Sequence, residues 1–167
     1  MGLRRGLWQQ ERGFSLMELA WIIIIMGIVF AAAVPLWLGA VESRKVDSAM
    51  NQMVADLRRA HTNATNRLQN WQVDLQPPGD PATNYRMGPC VDPCANPIPP
   101  PSLSLEQGTR FQPGMAGGRV VFESDGESSS NLAGNIIRVA SADGSPCRQI
   151  QINTVTSRIE VLPNVCP

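Results

Sequence analysis

The stretch Arg12-Gly-Phe-Ser-Leu-Met-Glu-Leu-Ala-Trp-Ile-Ile-Ile-Ile-Met-Gly-Ile-Val-Phe-Ala-Ala-Ala-Val-Pro-Leu-Trp-Leu38 carries one charged residue after Arg12, namely Glu18. From Leu19 to Leu38 it supplies 20 residues, about 30 Å of helix, enough to span a bilayer core. An ionised carboxylate in such a segment costs several kcal/mol and calls for a positively charged partner. No Lys or Arg lies between Phe14 and Leu38, so the helix cannot supply that partner itself. A free amino terminus, created by cutting after Gly13, would supply it. Ahead of that point stand only Met1 to Gly13, with Arg4, Arg5, Glu11 and Arg12. A secretory signal places its small-residue cleavage site after the apolar run; here the candidate site precedes the run, and the apolar helix survives processing.

On these residues the chain resembles the type IV pilins and pseudopilins: Gly13-Phe14-Ser15-Leu16-Met17-Glu18-Leu19 is similar to their class III signal. The resemblance implies cleavage after Gly13 by a prepilin peptidase on the cytoplasmic side and N-methylation of Phe14 as the new terminus. It also implies that Glu18, the fifth mature residue, neutralises the terminal amine of a neighbouring subunit. Gly27 and Pro35 stand where many members have a Gly and a Pro. Pro35 removes a backbone donor and is expected to loosen or kink the helix nearby. The plain alternative is a signal anchor with Glu18 at the membrane interface. The expected organisation is a leader, 1–13, a transmembrane and assembly helix, 14–38, and an exported domain, 39–167.

Composition allows one modest domain beyond the membrane segment. The chain has 14 basic and 14 acidic residues; losing three Arg and one Glu with the leader leaves 11 and 13, with no global bias toward nucleic acid. Four cysteines, Cys90, Cys94, Cys147 and Cys166, all follow the apolar span. An even number outside the cytoplasm favours disulfides, and three connectivities are open. A Pro-containing bend between close neighbours favours Cys90 with Cys94, and a hairpin turn at Thr154–Ser157 with a bend at Pro163 favours Cys147 with Cys166. A metal site is not expected: Cys-x-x-Cys is absent, and the one histidine, His61, lies on a distant helix where it reads as a surface or sheet-edge residue.

From Val41 to about Asn70 the pattern turns amphipathic. Val46, Met50, Met53, Leu57, Ala60, Ala64, Leu68 and Trp71 recur at steps of three and four and mark one apolar stripe. Arg58, Arg59 and Arg67 fall mostly elsewhere and read as a solvated face. Phe14 to Asn70, if continuous, makes a rod of about 85 Å. The cover for the stripe is a sheet. Trp71-Gln-Val-Asp-Leu75 alternates as a strand, whereas the Pro-rich Gln76 to Pro101 is expected to hold no central strand. Further strands are expected at 103–105, 109–112, 119–123, 135–140, 147–153 and 158–162, separated by turns at Ser124–Ser130, Ser141–Pro146 and Thr154–Ser157. The fold class is therefore α+β: a long N-terminal helix packed on a C-terminal antiparallel β-sheet, as in the pilin fold.

The last third of the chain narrows the resemblance. Val120-Val-Phe-Glu-Ser-Asp-Gly126, Ile136-Ile-Arg-Val139, Cys147-Arg-Gln-Ile-Gln-Ile152 and Ser157-Arg-Ile-Glu160 are similar to the GspH and FimT type of minor pilin or pseudopilin. That branch tends to close on Gly-Arg-x-Arg. Here Ser157 replaces the Gly and Glu160 the last Arg. Some members bind DNA for uptake through basic residues near the C terminus, which makes Arg148 and Arg158 candidate phosphate contacts, opposed by Glu160 and by the acidic balance of the mature chain. Asp125-Gly126-Glu127 offers too few carboxylates for calcium, and a hairpin turn accounts for it. One His, no nucleophile elbow and no phosphate loop give no sign of an enzyme or a cofactor. The expected role is a structural subunit of a type II secretion or type IV pilus filament, with DNA uptake as the alternative. It implies an inner-membrane protein with a cytoplasmic N terminus, whose partners are other subunits, prepilin peptidase, the assembly platform and, before assembly, membrane lipid.

Overall fold

The computed structural model describes residues 15–91, 93–162 and 166. The chain divides after Gly39 into two units, the second running Ala40–Pro167. One helix, α1, runs Leu16–Arg67. Its first part is apolar and exposed, and it continues through Pro35, whose missing donor the rest of the helix tolerates as membrane helices commonly do.

In the second unit the apolar positions do what their spacing predicts. Val46, Met50, Met53, Leu57, Ala60 and Ala64 are buried along one face of α1. The stripe stops at Ala64, two positions sooner than its period suggests. Leu68 lies beyond the last turn with a positive φ of 51° and is 80% exposed. Gln69 N–H donates to Ala64 C=O at 3.2 Å, the six-to-one bond of a Schellman stop in which Leu68 holds the left-handed position usually given to Gly. Trp71 belongs to the first strand instead.

The sheet expected as one is two. β1 (Trp71–Leu75), β2 (Asn84–Pro89), β3 (Leu103–Ser104), β5 (Gly118–Phe122) and β6 (Ser128–Ser130) form the first, in the order β3-β2-β1-β5-β6. β4 (Thr109–Phe111), β7 (Ile136–Ser141), β8 (Cys147–Ile152) and β9 (Ile159–Leu162) form the second, in the order β4-β7-β8-β9. All pairings are antiparallel. Two expectations fail. β2 lies inside the segment set aside as too rich in proline, and it pairs on both sides. Its prolines fall outside Asn84–Gly88, so the ladder donors that matter are present. Ser128–Ser130, taken as turn, pairs with β5, and the hairpin tip contracts to Glu123–Glu127.

Helix and sheets share one core. Met50, Met53 and Leu57 join Val73, Tyr85, Phe111, Phe122, Ile137, Val139, Ile150 and Ile152. Alternation explains which strand residues enter it: in β1, Trp71, Val73 and Leu75 share a face with their partners Phe122, Val120 and Tyr85.

Candidate assembly segment and the domain it carries

Ser15 starts α1. Its hydroxyl accepts from Met17 N–H at 3.4 Å, and its carbonyl accepts from the amides of Glu18 and Leu19 at 2.9 and 3.1 Å. Glu18 thus sits in the first helical turn, where a carboxylate also suits the helix dipole. It is exposed, forms no ion pair among the described residues, and is followed by exposed Trp21, Ile22, Ile23, Ile24 and Ile25. This helix is long and apolar enough to cross a membrane. Gly13 and Phe14, the expected cleavage residue and new terminus, lie outside the described residues.

The cysteines fall into two pairs. Cys90 is bonded to Cys94, with Cα atoms 5.2 Å apart, and Cys147 to Cys166, with Cα atoms 5.7 Å apart. Asp92 and Pro163, residues of the bends that favour these pairings, lie outside the described residues. The second disulfide ties the chain end to β8.

The candidate phosphate contacts are not free cations. Arg148 lies on the side of β8 that meets the helix. Its Nε donates to Asp47 Oδ1 at 2.8 Å and its Nη2 to Ser43 Oγ at 3.4 Å. Arg158 Nε donates to Glu160 Oε1 at 2.7 Å on the surface. With Asn135, Gln151 and Thr154, this pair lines an open groove of about 720 Å³.

Sequence inspection missed the feature that organises the proline-rich segment. On the face of the first sheet turned away from α1, Asp74 is 4% exposed. Its Oδ1 accepts from Arg119 Nε at 2.8 Å and from Gln72 Nε2 at 2.6 Å, and its Oδ2 accepts from Ile98 N–H at 2.7 Å. Arg119 Nη1 reaches Cys94 C=O at 2.6 Å, and Gln72 Nε2 also reaches Asn96 C=O. The segment is thereby laid over the sheet: Ile98 is buried, and a Cβ on Gly88 would meet Ile98 Cγ2 at 3.2 Å. β1 is consequently buried on both faces. Near one edge Arg86 grips Asp80 through Nη2 at 2.9 Å and donates to Ile98 C=O. Hydrogen bonds from Ser102 and Arg86 hold the Asp80 carboxyl below its usual value. The legible signal was an acid alternating with apolar residues in Trp71–Leu75, just ahead of the proline-rich run.

No curated protein and no solved structure matches the chain. The family model described as Type II transport protein GspH matches residues 49–156, well over half of the chain. The match begins after the apolar segment, so the N-terminal signal and the domain testify independently. One apolar N-terminal helix on an antiparallel α+β domain, together with this match, places the chain in the GspH family of type II secretion pseudopilins, structural proteins that associate with other pseudopilin subunits.

Proposed function

We propose that this chain is a minor pseudopilin, made as a precursor, cleaved between Gly13 and Phe14, N-methylated on Phe14, and drawn from the inner membrane into a short filament by its assembly platform. Glu18 carries the reading: it is the one charged residue from Ser15 to Leu38 and stands in the first turn of an exposed apolar helix. In a filament its carboxylate meets the Phe14 amine of a neighbour, the cation its own helix lacks. Before assembly the apolar helix rests in lipid, the N terminus in the cytoplasm and residues 39–167 in the periplasm, where the two disulfides persist. The DNA-uptake reading gains no support from Arg148 or Arg158, since each guanidinium already holds a carboxylate. Mass spectrometry of the membrane form tests the proposal. The expected species begins at N-methylated Phe14; a chain retaining Met1 in cells with active prepilin peptidase overturns it.

A further inference from the structure

We propose that the outward face of the domain half of α1 is a docking surface for a second copy of this chain, engaged by that copy's acidic β5–β6 turn. This rests on the filament-subunit reading above. With Val46, Met50, Met53, Leu57, Ala60 and Ala64 buried, the opposite face of α1 presents Arg44, Ser48, Ala55, Arg58, Arg59 and Thr62, all exposed. The sequence of this helix half mixes both signs, but the fold sorts them. Glu42 accepts from Ser141 Oγ at 2.6 Å, Asp47 holds Arg148 at 2.8 Å, and Asp56 accepts from Tyr85 Oη at 2.5 Å. The domain thus takes up each acid. Arg44, Arg58 and Arg59 form no ion pair among the described residues. What faces outward is cationic, with small Ala55 and Thr62 one turn either side of the Arg58–Arg59 pair, leaving room for an approaching chain. Arg44 extends the charge about 21 Å along the helix.

The complementary surface is on the same molecule. The β5–β6 turn carries Glu123, Asp125 and Glu127, closed by Glu123 N–H to Glu127 C=O at 2.8 Å and Gly126 N–H to Glu123 C=O at 3.1 Å. Asp125 and Glu127 are exposed, and none of the three carboxylates forms an ion pair among the described residues. The turn belongs to the sheet layer: it follows Phe122, whose ring meets His61 edge-on at 5.7 Å. The arginine face looks away from the sheets. Among the described residues no ion pair joins the two surfaces within one chain, and two copies can join them, turn of one on helix of the other. Contact between two different patches is heterologous, and where its rotation does not close a ring it propagates as an open helical array. Complementary charge at such a contact sets partner and register. Duplex DNA is the less suited occupant, because the mature side chains carry 11 basic against 13 acidic residues once the leader's three Arg and one Glu leave the 14 and 14.

To test this, two differently tagged full-length copies are co-expressed with the assembly machinery, solubilised in mild detergent, and captured through one tag at low and high salt. Wild-type copies are expected to co-purify in a salt-sensitive manner. Reversal of Arg58→Glu with Arg59→Glu in both copies, or of Asp125→Lys with Glu127→Lys in both, is expected to reduce capture about tenfold. Pairing an Arg-reversed copy with an acid-reversed copy restores it, which a misfolded variant could not do. Unchanged capture after reversal, a loss that mixing does not restore, absence of capture between wild-type copies, or retention of duplex DNA or another subunit in place of the second copy overturns the proposal. The N-terminal mass of the same preparation separates the two readings: unchanged capture of a Phe14-initiated chain refutes this contact alone. A Met1-initiated chain refutes the filament reading, while its capture pattern still decides the contact.

Discussion

Asp74 does in this domain what an apolar residue could not. It sits in a strand whose neighbours Val73 and Leu75 enter the core, and its carboxylate binds a guanidinium, an amide side chain and a backbone N–H at once. Removing one partner of such a buried pair typically costs about 3 kcal/mol or more. Asp74→Ala should therefore lower stability by about 3 kcal/mol in urea unfolding and expose the 91–101 segment to protease before the domain unfolds; equal nicking of variant and parent would contradict this. Tyr85 makes a second residue-scale prediction. Burial, then its hydrogen bond to Asp56, raises the phenol well above its ordinary value of 10.0. The unfolded chain releases this proton above about pH 10 while the folded chain keeps it, so the contribution is present below that pH and lost as pH rises. Asp80 runs the other way. Its lowered value means that the unfolded chain takes up a proton first, so stability falls on acidification below about pH 4. Unfolding midpoints measured from pH 9 to 11 should decline in the parent and decline less in Tyr85→Phe, at the cost of the hydrogen bond at neutral pH.

At the scale of elements, α1 ends at Arg67, before the last two positions of its apolar period, Leu68 and Trp71. A leucine in the left-handed region costs about 1–2 kcal/mol relative to Gly, and Leu68 recovers nothing by burial, being 80% exposed. Leu68→Gly is expected to raise stability by about 1 kcal/mol, after allowance for the greater freedom of Gly in the unfolded chain, and to shift the urea midpoint upward with unchanged slope. A downward shift would mean that Leu68 has a partner outside the single chain. Strand identities were readable wherever period two was clear, as in Gly118–Phe122, Ile136–Ser141 and Cys147–Ile152, because burying one face of a sheet imposes that period locally. β2 was not readable. Tyr85 and Met87 do alternate with Asn84, Arg86 and Gly88 and turn toward the core, but the run is short and lies among the prolines of 76–101, which argue against a central strand.

For the whole molecule, the assembly segment and the domain divide the work of a filament subunit. Glu18→Ala is expected to leave membrane insertion and cleavage intact and to abolish or sharply reduce incorporation into filaments. The neighbour's Phe14 amine would then lie unpaired in an apolar bundle, a loss of about 3–5 kcal/mol; normal incorporation, read by shearing and blotting, would refute this role. Glu18 and the apolar run around it were legible without any coordinates, because a lone charge in a membrane-length segment is a statement about nearest neighbours in sequence and the solvent they meet. The switch to an amphipathic helix and the presence of a turn after the 119–123 strand were legible for the same reason, helical period and turn chemistry being local, although the turn was read on to Ser130 and Ser128–Ser130 pairs as a strand. The division into two sheets, the double burial of β1, and the turning of Arg148 onto Asp47 came only with tertiary packing. Each joins residues tens of positions apart, such as Asp74 with Arg119 and Asp47 with Arg148, and no local period records which distant partner will satisfy a buried charge.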